Sequence, residues 1–193
     1  QDRNIFGCCM LKNGDADGMV TGVTRNYDVA LNDALLVLDP IPGQAVMGMS
    51  MVINRGRTVF IADTSVTELP QGQDLANIAI EAARSVRSLG FTPRVAFLSY
   101  STFGNPMGER GEKVRDAVAI LNRMKEVDFE FEGDMNADVA LNPSHKMLYP
   151  FSRLTGPANV LIMPAIHSAS IATKLLESMS RATVIGPMLL GLE

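Results

Sequence analysis

Hydrophobic positions along this chain follow two alternating periods. Between Asp74 and Leu89 the apolar residues fall three and four apart, which predicts an amphipathic helix capped by Asp74 and ended by Gly90. The same spacing predicts helices at Glu112–Lys125 and Ser168–Ser180. These segments are long enough to bury one face of each helix against a sheet.

Short apolar and β-branched runs between the helices predict strands. The turn signal Asn54-Arg-Gly56 predicts that the first two runs form a hairpin. Phe129 and Phe131 alternate with acids, which is typical of a half-exposed edge strand. Strands alternating with helices predict an α/β fold, doubly wound around a mostly parallel sheet. The predicted strands are Ala45–Ile53, Thr58–Ala62, Arg94–Tyr100, Asp128–Glu132, Asn159–Met163 and Ala182–Ile185.

The first forty residues form a separate region of the pattern. Phe6–Leu11 is either the end of a helix or a buried strand, and Ala30–Leu38 is a candidate helix. The run Asp39-Pro-Ile-Pro-Gly43 interrupts both periods and predicts a lobe boundary. We therefore expect residues 1–40 in a first α/β lobe, 41–185 in a second, and 186–193 returning toward the first. Because the chain starts without Met and both ends are apolar, we expect it to be a fragment of a longer protein.

Composition narrows the class of protein. The chain has 193 residues, of which 47% are hydrophobic and 20% charged, as in ordinary soluble domains. A net charge of −4 argues against a nucleic-acid partner, and no apolar run reaches the roughly 20 residues of a membrane helix. The only cysteines, Cys8 and Cys9, are adjacent and are expected to be reduced core residues, which favours a cytoplasmic location.

Familiar catalytic and metal motifs are missing from the sequence. Asp15-Ala-Asp17-Gly18 resembles the start of a calcium loop but lacks the later acids. The only histidines, His145 and His167, are too far apart to imply a metal pair. Neither a G-x-S-x-G elbow nor a G-x-G-x-x-G fingerprint occurs. We therefore predict no metal ligand and assign no catalytic residue.

Polar loops after predicted strands are the candidate binding site. Ser99–Gly108 follows one buried strand and leads into a helix, so backbone N–H groups and the hydroxyls of Ser99, Ser101 and Thr102 could hold an anion. Because parallel strands end at one edge of a sheet, this loop should meet the other loops that follow strands. Those other loops are Pro164–Ser170, with His167, Ser168 and Ser170, and the Gly186-Pro187 pair. An alternative is that Ser168 or Ser170 only caps a helix and that His167 satisfies a buried carbonyl.

Several segments together resemble phosphate acetyltransferases along essentially the whole chain. These segments are Asp15-Ala-Asp-Gly-Met-Val-Thr-Gly22, Phe60-Ile-Ala-Asp63, Ser99-Tyr-Ser-Thr102 and Ile185-Gly-Pro-Met-Leu-Leu-Gly191. Within that family, Gly22-Val-Thr-Arg-Asn-Tyr27 and Ile166-His-Ser-Ala-Ser170 are more similar to the C-terminal, transacetylase-like domain of bacterial NADP-dependent multidomain malic enzymes.

The resemblance implies two α/β lobes with an interlobe cleft, acyl-CoA as ligand, and a homodimer built on this domain within a higher oligomer. In such malic enzymes an upstream part converts malate to pyruvate, CO2 and NADPH with NADP and a divalent metal. The domain resembling this chain is regulatory and binds acetyl-CoA as an allosteric effector. The acyl-CoA ligands would be Ser99, Ser101, Thr102, Asn105, His167, Ser168, Ser170, Arg25, Gly186 and Pro187.

Departures from the family pattern bear on activity. Where transacetylases carry Thr-Leu-Arg-Pro-Ala, this chain has Ala30-Leu-Asn-Asp-Ala34, so Asn32 replaces an active-site arginine. Phe103 and Asn105-Pro106 occupy a segment that is small and glycine-containing in the enzymes. These changes favour an acetyl-CoA-sensing domain that is not itself catalytic. An active phosphate acetyltransferase and a pure dimerisation scaffold remain the alternatives.

Overall fold

The computed structural model describes residues 2–22 and 24–193, with the side chains of all but Glu109 and Arg110. Val23, within the Gly22–Tyr27 segment used for the resemblance, lies outside the described residues. The chain divides into two compact units, Gln1–Gln44 with Gly191–Glu193, and Ala45–Leu190.

The described residues of the smaller unit form two helices, α1 (Arg3–Lys12) and α2 (Tyr27–Leu35). Phe6–Leu11 is therefore helical, and α2 starts and ends three residues earlier than the candidate helix Ala30–Leu38. Asp2 caps α1 by accepting from the Asn4 backbone N–H at 2.9 Å. Cys8 is buried, but Cys9 is exposed, so the expectation for Cys9 was wrong. Consecutive helical residues point about 100° apart, and only one of the pair can face the core.

The larger unit is a single six-stranded sheet in the order β4-β3-β5-β2-β1-β6, covered by helices. Its strands are β1 (Met47–Asn54), β2 (Arg57–Ala62), β3 (Arg94–Leu98), β4 (Glu130–Met135), β5 (Val160–Ile162) and β6 (Thr183–Leu190). Its helices are α3 (Gly72–Ser88), α4 (Glu109–Arg123), α5 (Ala137–Leu141), α6 (His145–Leu148) and α7 (Ile166–Met179).

The predicted α/β fold is confirmed, and the sheet is mixed. Strands β2, β5, β3 and β4 run parallel, whereas β1 is antiparallel to both β2 and β6. The predicted hairpin is present, with Asn54 paired to Arg57 across the turn. Strand β4 lies at one end of the sheet, as predicted for an edge strand, although Phe131 and Glu132 on it are buried.

Hydrophobic side chains fill both faces of the sheet. On β3, Val95 and Phe97 point into a cluster with α3 and α4, and Ala96 and Leu98 point into a second cluster with α5 and α7. This alternation on a strand without polar residues is the pattern of a sheet covered on both sides. Helix α3 contributes the continuous apolar stripe that the sequence predicted. Its N-cap is Gln71, however, and Asp74 completes a capping box by accepting from the Gln71 backbone N–H at 2.8 Å.

The predicted strand Ala182–Ile185 ended five residues too early. Strand β6 continues through Gly186 and Pro187 to Leu190, and the two residues oppose Ser50 of β1 in a bulge. Gly186 has φ +133°, and a Cβ there would lie 2.8 Å from the Met49 carbonyl oxygen. Only glycine allows the backbones to approach this closely.

Among the residues described, no helix is both long and apolar enough to cross a lipid bilayer.

Candidate functional site

The carboxyl ends of the parallel strands bring four chain segments to one edge of the sheet. In spatial order these segments follow β4, β3, β5 and β2. Neighbouring strands lie about 4.8 Å apart, so the loop after β3 and the start of α7, which follows β5, are next to each other. This is the edge at which open α/β sheets bind ligands.

A buried carboxylate organises the loop Ser99–Gly108. The Asp134 side chain is fully buried at the end of β4. It accepts a short hydrogen bond from the Ser101 hydroxyl and a 2.9 Å bond from the Gly104 backbone N–H. Arg115 on α4 lies 3.3 Å from the same carboxylate. Because the Ser101 hydroxyl is buried and already donates to Asp134, it holds the loop in place.

Further hydrogen bonds tie the same loop to the residue after β4. The Asn136 backbone N–H donates to the Thr102 hydroxyl at 3.1 Å. With its side-chain amide oriented so that the nitrogen faces the carbonyls, Asn136 donates to Ser99 and Tyr100, both at 2.8 Å. Thr102 and Asn105 close a tight turn through two backbone bonds of 3.0 and 3.1 Å. The loop is therefore preorganised, and the exposed Asn105 stands at its outer side.

The turn presents an aromatic side chain. Phe103 adopts φ +50°, a conformation that is uncommon for a bulky residue. Its ring packs edge-on against Phe151, with centroids 4.8 Å apart, and at a tilt against Tyr149, at 5.2 Å. Phe151 is 68% exposed. An apolar surface thus adjoins the hydroxyl-bearing loop.

The start of α7 is the second wall of the candidate site. Its N-cap is Ala165. Among the residues described, no side chain caps the N–H groups of the first turn. Ser168 donates its hydroxyl to the Ala165 carbonyl at 2.7 Å and so does not cap the helix. His167 is exposed and lies 3.8 Å from Glu68, in the loop after β2, so it satisfies no buried carbonyl. Ser170 is half-buried one turn into the helix.

A second buried carboxylate shapes the loop after β2. One oxygen of Asp63 accepts from the backbone N–H groups of Gly48, Ser65 and Val66 at 2.8, 2.9 and 3.1 Å. The other oxygen accepts from the Thr67 N–H at 2.6 Å. Asp63 therefore stabilises the loop that carries Glu68 toward His167.

Two residues expected at the site lie elsewhere in the sheet, and a third belongs to the smaller unit. Gly186 and Pro187 lie within β6, four strands away from β3, or about 19 Å at the usual strand spacing. Arg25 belongs to the smaller unit, where it lies 2.6 Å from Asp2 and 3.1 Å from Asp33. The hydrogen bond to Arg25 lowers the pKa of Asp2, and the same bond raises the pKa of Arg25.

The residues that sequence reasoning missed are Asp134, Asn136 and Asp63. The predicted strand Asp128–Glu132 stopped two residues before Asp134, whereas β4 continues through Asp134 to Met135. An acid directly after a buried strand is the signal that could have found Asp63, which follows β2. Asp134 lies within β4 and carries no such signal. Among the residues described, no cluster of three or more His, Cys, Asp or Glu side chains could hold a metal ion.

The arrangement suits anion binding. The N–H groups at the start of the 14-residue helix α7, which no described side chain caps, attract negative charge. The neighbouring loop is held rigidly by Asp134 and Asn136, and it offers Asn105 and an aromatic surface.

Comparison with known proteins places this geometry in context. The sequence profile described as "Phosphate acetyl/butaryl transferase" matches residues 1–193. The NADP-dependent malic enzyme of Rhizobium meliloti (strain 1021) is 57% identical over 192 residues, which is 100% of this chain and 25% of that protein. The phosphate acetyltransferase of Bacillus subtilis (strain 168) is 33% identical over 99% of this chain and 59% of its own length.

A solved structure is similar over nearly the whole chain. The EutD phosphotransacetylase from Staphylococcus aureus superimposes with a TM-score of 0.87 at 29% identity, covering 98% of this chain and 59% of that one. The chain thus spans about a quarter of the malic enzyme that it matches and about three fifths of the transacetylases.

Proposed function

Because the chain belongs to the phosphate acetyl/butaryl transferase family, we propose that it is the transacetylase-like regulatory domain of an NADP-dependent malic enzyme. In this proposal it binds acetyl-CoA as an allosteric effector without turning it over. The attached part of the protein would oxidise malate to pyruvate and CO2 with NADP and a divalent metal, in the cytoplasm.

One observation carries the parent assignment. Identity is 57% with a malic enzyme and 33% with a phosphate acetyltransferase, each over essentially the whole chain. The higher identity favours a parent protein that is a malic enzyme over one that is a phosphate acetyltransferase.

Acetyl-CoA fits the chemistry of the sheet edge. Its phosphates suit the uncapped N–H groups of α7 near His167 and Ser168. Asn105 lies on the outer side of the neighbouring loop and can bond the amide-rich pantetheine arm. Binding here can regulate a distant reaction only if the effector favours one of two domain arrangements.

The absence of turnover is supported by residues of the smaller unit. Asn32 is exposed on α2 and carries no charge to pair with phosphate. Arg25 is held by Asp2 and Asp33, so its charge is compensated by two carboxylates. Losing one charge-assisted hydrogen bond to phosphate costs about 1.5–3 kcal/mol.

A charge placed at the start of α7 tests effector binding. Ser168→Asp puts a carboxylate where the proposal places a phosphate, and we expect acetyl-CoA affinity, measured by calorimetry on the intact protein, to fall roughly tenfold or more. Ser178→Asp makes the same change near the far end of the same helix and should leave affinity unchanged. Equal affinity in both variants, or no acetyl-CoA binding by the unmodified protein at millimolar ligand, would remove the sensor role.

The alternative function is phosphate acetyltransferase activity, which the 33% identity to such an enzyme favours. A phosphate-dependent acetyl-CoA assay of the intact protein decides between the two. Robust turnover would show that the chain acts as a phosphate acetyltransferase, and the proposal of a non-catalytic sensor would be wrong.

Homodimerisation through this chain is part of the same proposal. Helix α7 leaves Ile171 and Leu175 exposed one turn apart, an apolar surface that a second copy can cover. Light scattering of intact Leu175→Arg protein should show a smaller assembly, and an unchanged mass would exclude this face.

A further inference from the structure

A pocket lies at the edge of the sheet opposite the one that carries Ser99–Gly108 and the start of α7. It has a volume of about 390 Å³ and is lined by Asn54, Arg55, Met179, Ser180 and Arg181. The β1–β2 turn forms one side, and the connection from α7 to β6 forms the other. The length of β2, roughly 17 Å, separates this edge from the Asp63 loop.

We propose that this pocket binds a small organic dianion between Arg55 and Arg181. Two arginines line the pocket, and no acidic residue is among its lining residues. Neither arginine forms an ion pair with another side chain in the described part of the chain. Paired N–H donors on planar guanidinium groups match the oxygens of phosphate and carboxylate.

The position of Arg55 is not explained by the turn itself. Arg55 and Gly56 are the two central residues, with φ of +50° and +76°, which is the geometry of a type I′ hairpin. That turn favours Asn at the first position, and an arginine there is strained. Strain at such a position is typical of a functional constraint. The neighbouring Arg57, by contrast, is engaged with the Leu141 carbonyl at 3.1 Å.

The remaining lining residues point to an organic anion. Met179 is 83% exposed and supplies an apolar wall beside the charges. The volume lies within the range of small-molecule sites and exceeds what one inorganic ion needs. The Ser180 hydroxyl donates to the Leu176 carbonyl and accepts from the Ala182 N–H, so it keeps the wall in shape. Glu177, on the same helix, does not line the pocket.

Calorimetry on the intact protein without divalent metal tests the site, with inorganic pyrophosphate and succinate as probes. We expect at least one probe to bind in the millimolar range or tighter. Arg181→Gln and Arg55→Asn should each weaken binding about tenfold, because each removes a charge-assisted contact. Binding of pyrophosphate alone assigns a phosphorylated ligand, and binding of succinate alone assigns a dicarboxylate.

Matched variants separate binding from folding and from general charge. Arg55→Asn gives the turn the residue it prefers, so its melting temperature should be equal or higher. Lys174→Gln removes one positive charge from an exposed position of α7 and should leave binding unchanged. No heat from either probe at millimolar concentration, or equal weakening by Lys174→Gln, would overturn the proposal.

Acetyl-CoA titrations of the same variants keep this site distinct from the proposed effector site. The Arg55 and Arg181 variants should bind acetyl-CoA as the unmodified protein does. A matching loss of acetyl-CoA affinity would place the phosphates of acetyl-CoA in this pocket. It would overturn the proposal that the pocket binds a separate ligand.

Discussion

Two buried aspartates hold two loops at the same edge of the sheet by different means. Asp63 accepts four hydrogen bonds, all from backbone N–H groups. Asp134 accepts one backbone N–H, one hydroxyl and one guanidinium. Any sequence of the first loop can supply its donors, since every residue except proline has an N–H. The second loop depends on Ser101 and Arg115, so its shape can be altered by substitution.

Asp63→Asn should have the largest effect. The side-chain nitrogen of asparagine donates hydrogen bonds and cannot accept them. Whichever carboxylate oxygen it replaces, it would face backbone N–H groups: that of Thr67 at one position, or those of Gly48, Ser65 and Val66 at the other. We expect a loss of about 3–5 kcal/mol in the free energy of unfolding. Urea denaturation of the intact protein measures it. Asp138→Asn, at an exposed position, is the control and should change stability by less than about 0.5 kcal/mol.

Asp134→Asn should cost less, about 2–3 kcal/mol. The Ser101 hydroxyl can rotate to donate or accept, and Arg115 is 29% exposed and can turn to water. A double-mutant cycle with Arg115→Met should give a coupling energy of about 1–2 kcal/mol. If Asp134→Asn costs as much as Asp63→Asn, the distinction between backbone and side-chain support does not hold.

Glu81 sharpens the comparison, because it is a buried carboxylate that accepts few hydrogen bonds. It is 4% exposed on α3, and Arg84 lies 2.7 Å away. Burial raises its pKa above the ordinary value, although Arg84 acts in the opposite direction. The folded state thus holds this proton more tightly than the unfolded state, so its contribution to stability falls as pH rises through the raised pKa.

Glu81→Gln should therefore gain stability relative to the unmodified protein as pH increases from about 4 toward 7. Thermal unfolding across this range measures the difference. The exposed Glu177→Gln should show no such trend. A difference that stays constant with pH would mean that Arg84 fully compensates the buried charge.

Local patterns in the sequence predicted most of the larger unit. The apolar stripe of α3 and the buried run of β3 were found because burial on a regular element leaves a regular spacing. The antiparallel pairing of β6 with β1 was missed, because pairing partners depend on contacts far apart in sequence.

The candidate site was predictable only in outline. Ser99–Gly108 and the start of α7 stood out as polar segments after strands, and the structure brings them to one edge. What the hydroxyls do there was not predictable. Ser101 is satisfied by Asp134, which lies 33 residues away, and no spacing rule connects them. Ligand contacts of these residues stay predictions.

The proline within β6 has a consequence for association. Strand β6 ends the sheet, and its outer side carries main-chain groups that could template another strand. Pro187 has no N–H, and the bulge that it forms with Gly186 interrupts the regular spacing of the remaining groups. A strand added from another molecule would find no continuous ladder here. The same pair that suggested a ligand contact in the sequence therefore makes β6 a poor template for edge-to-edge pairing.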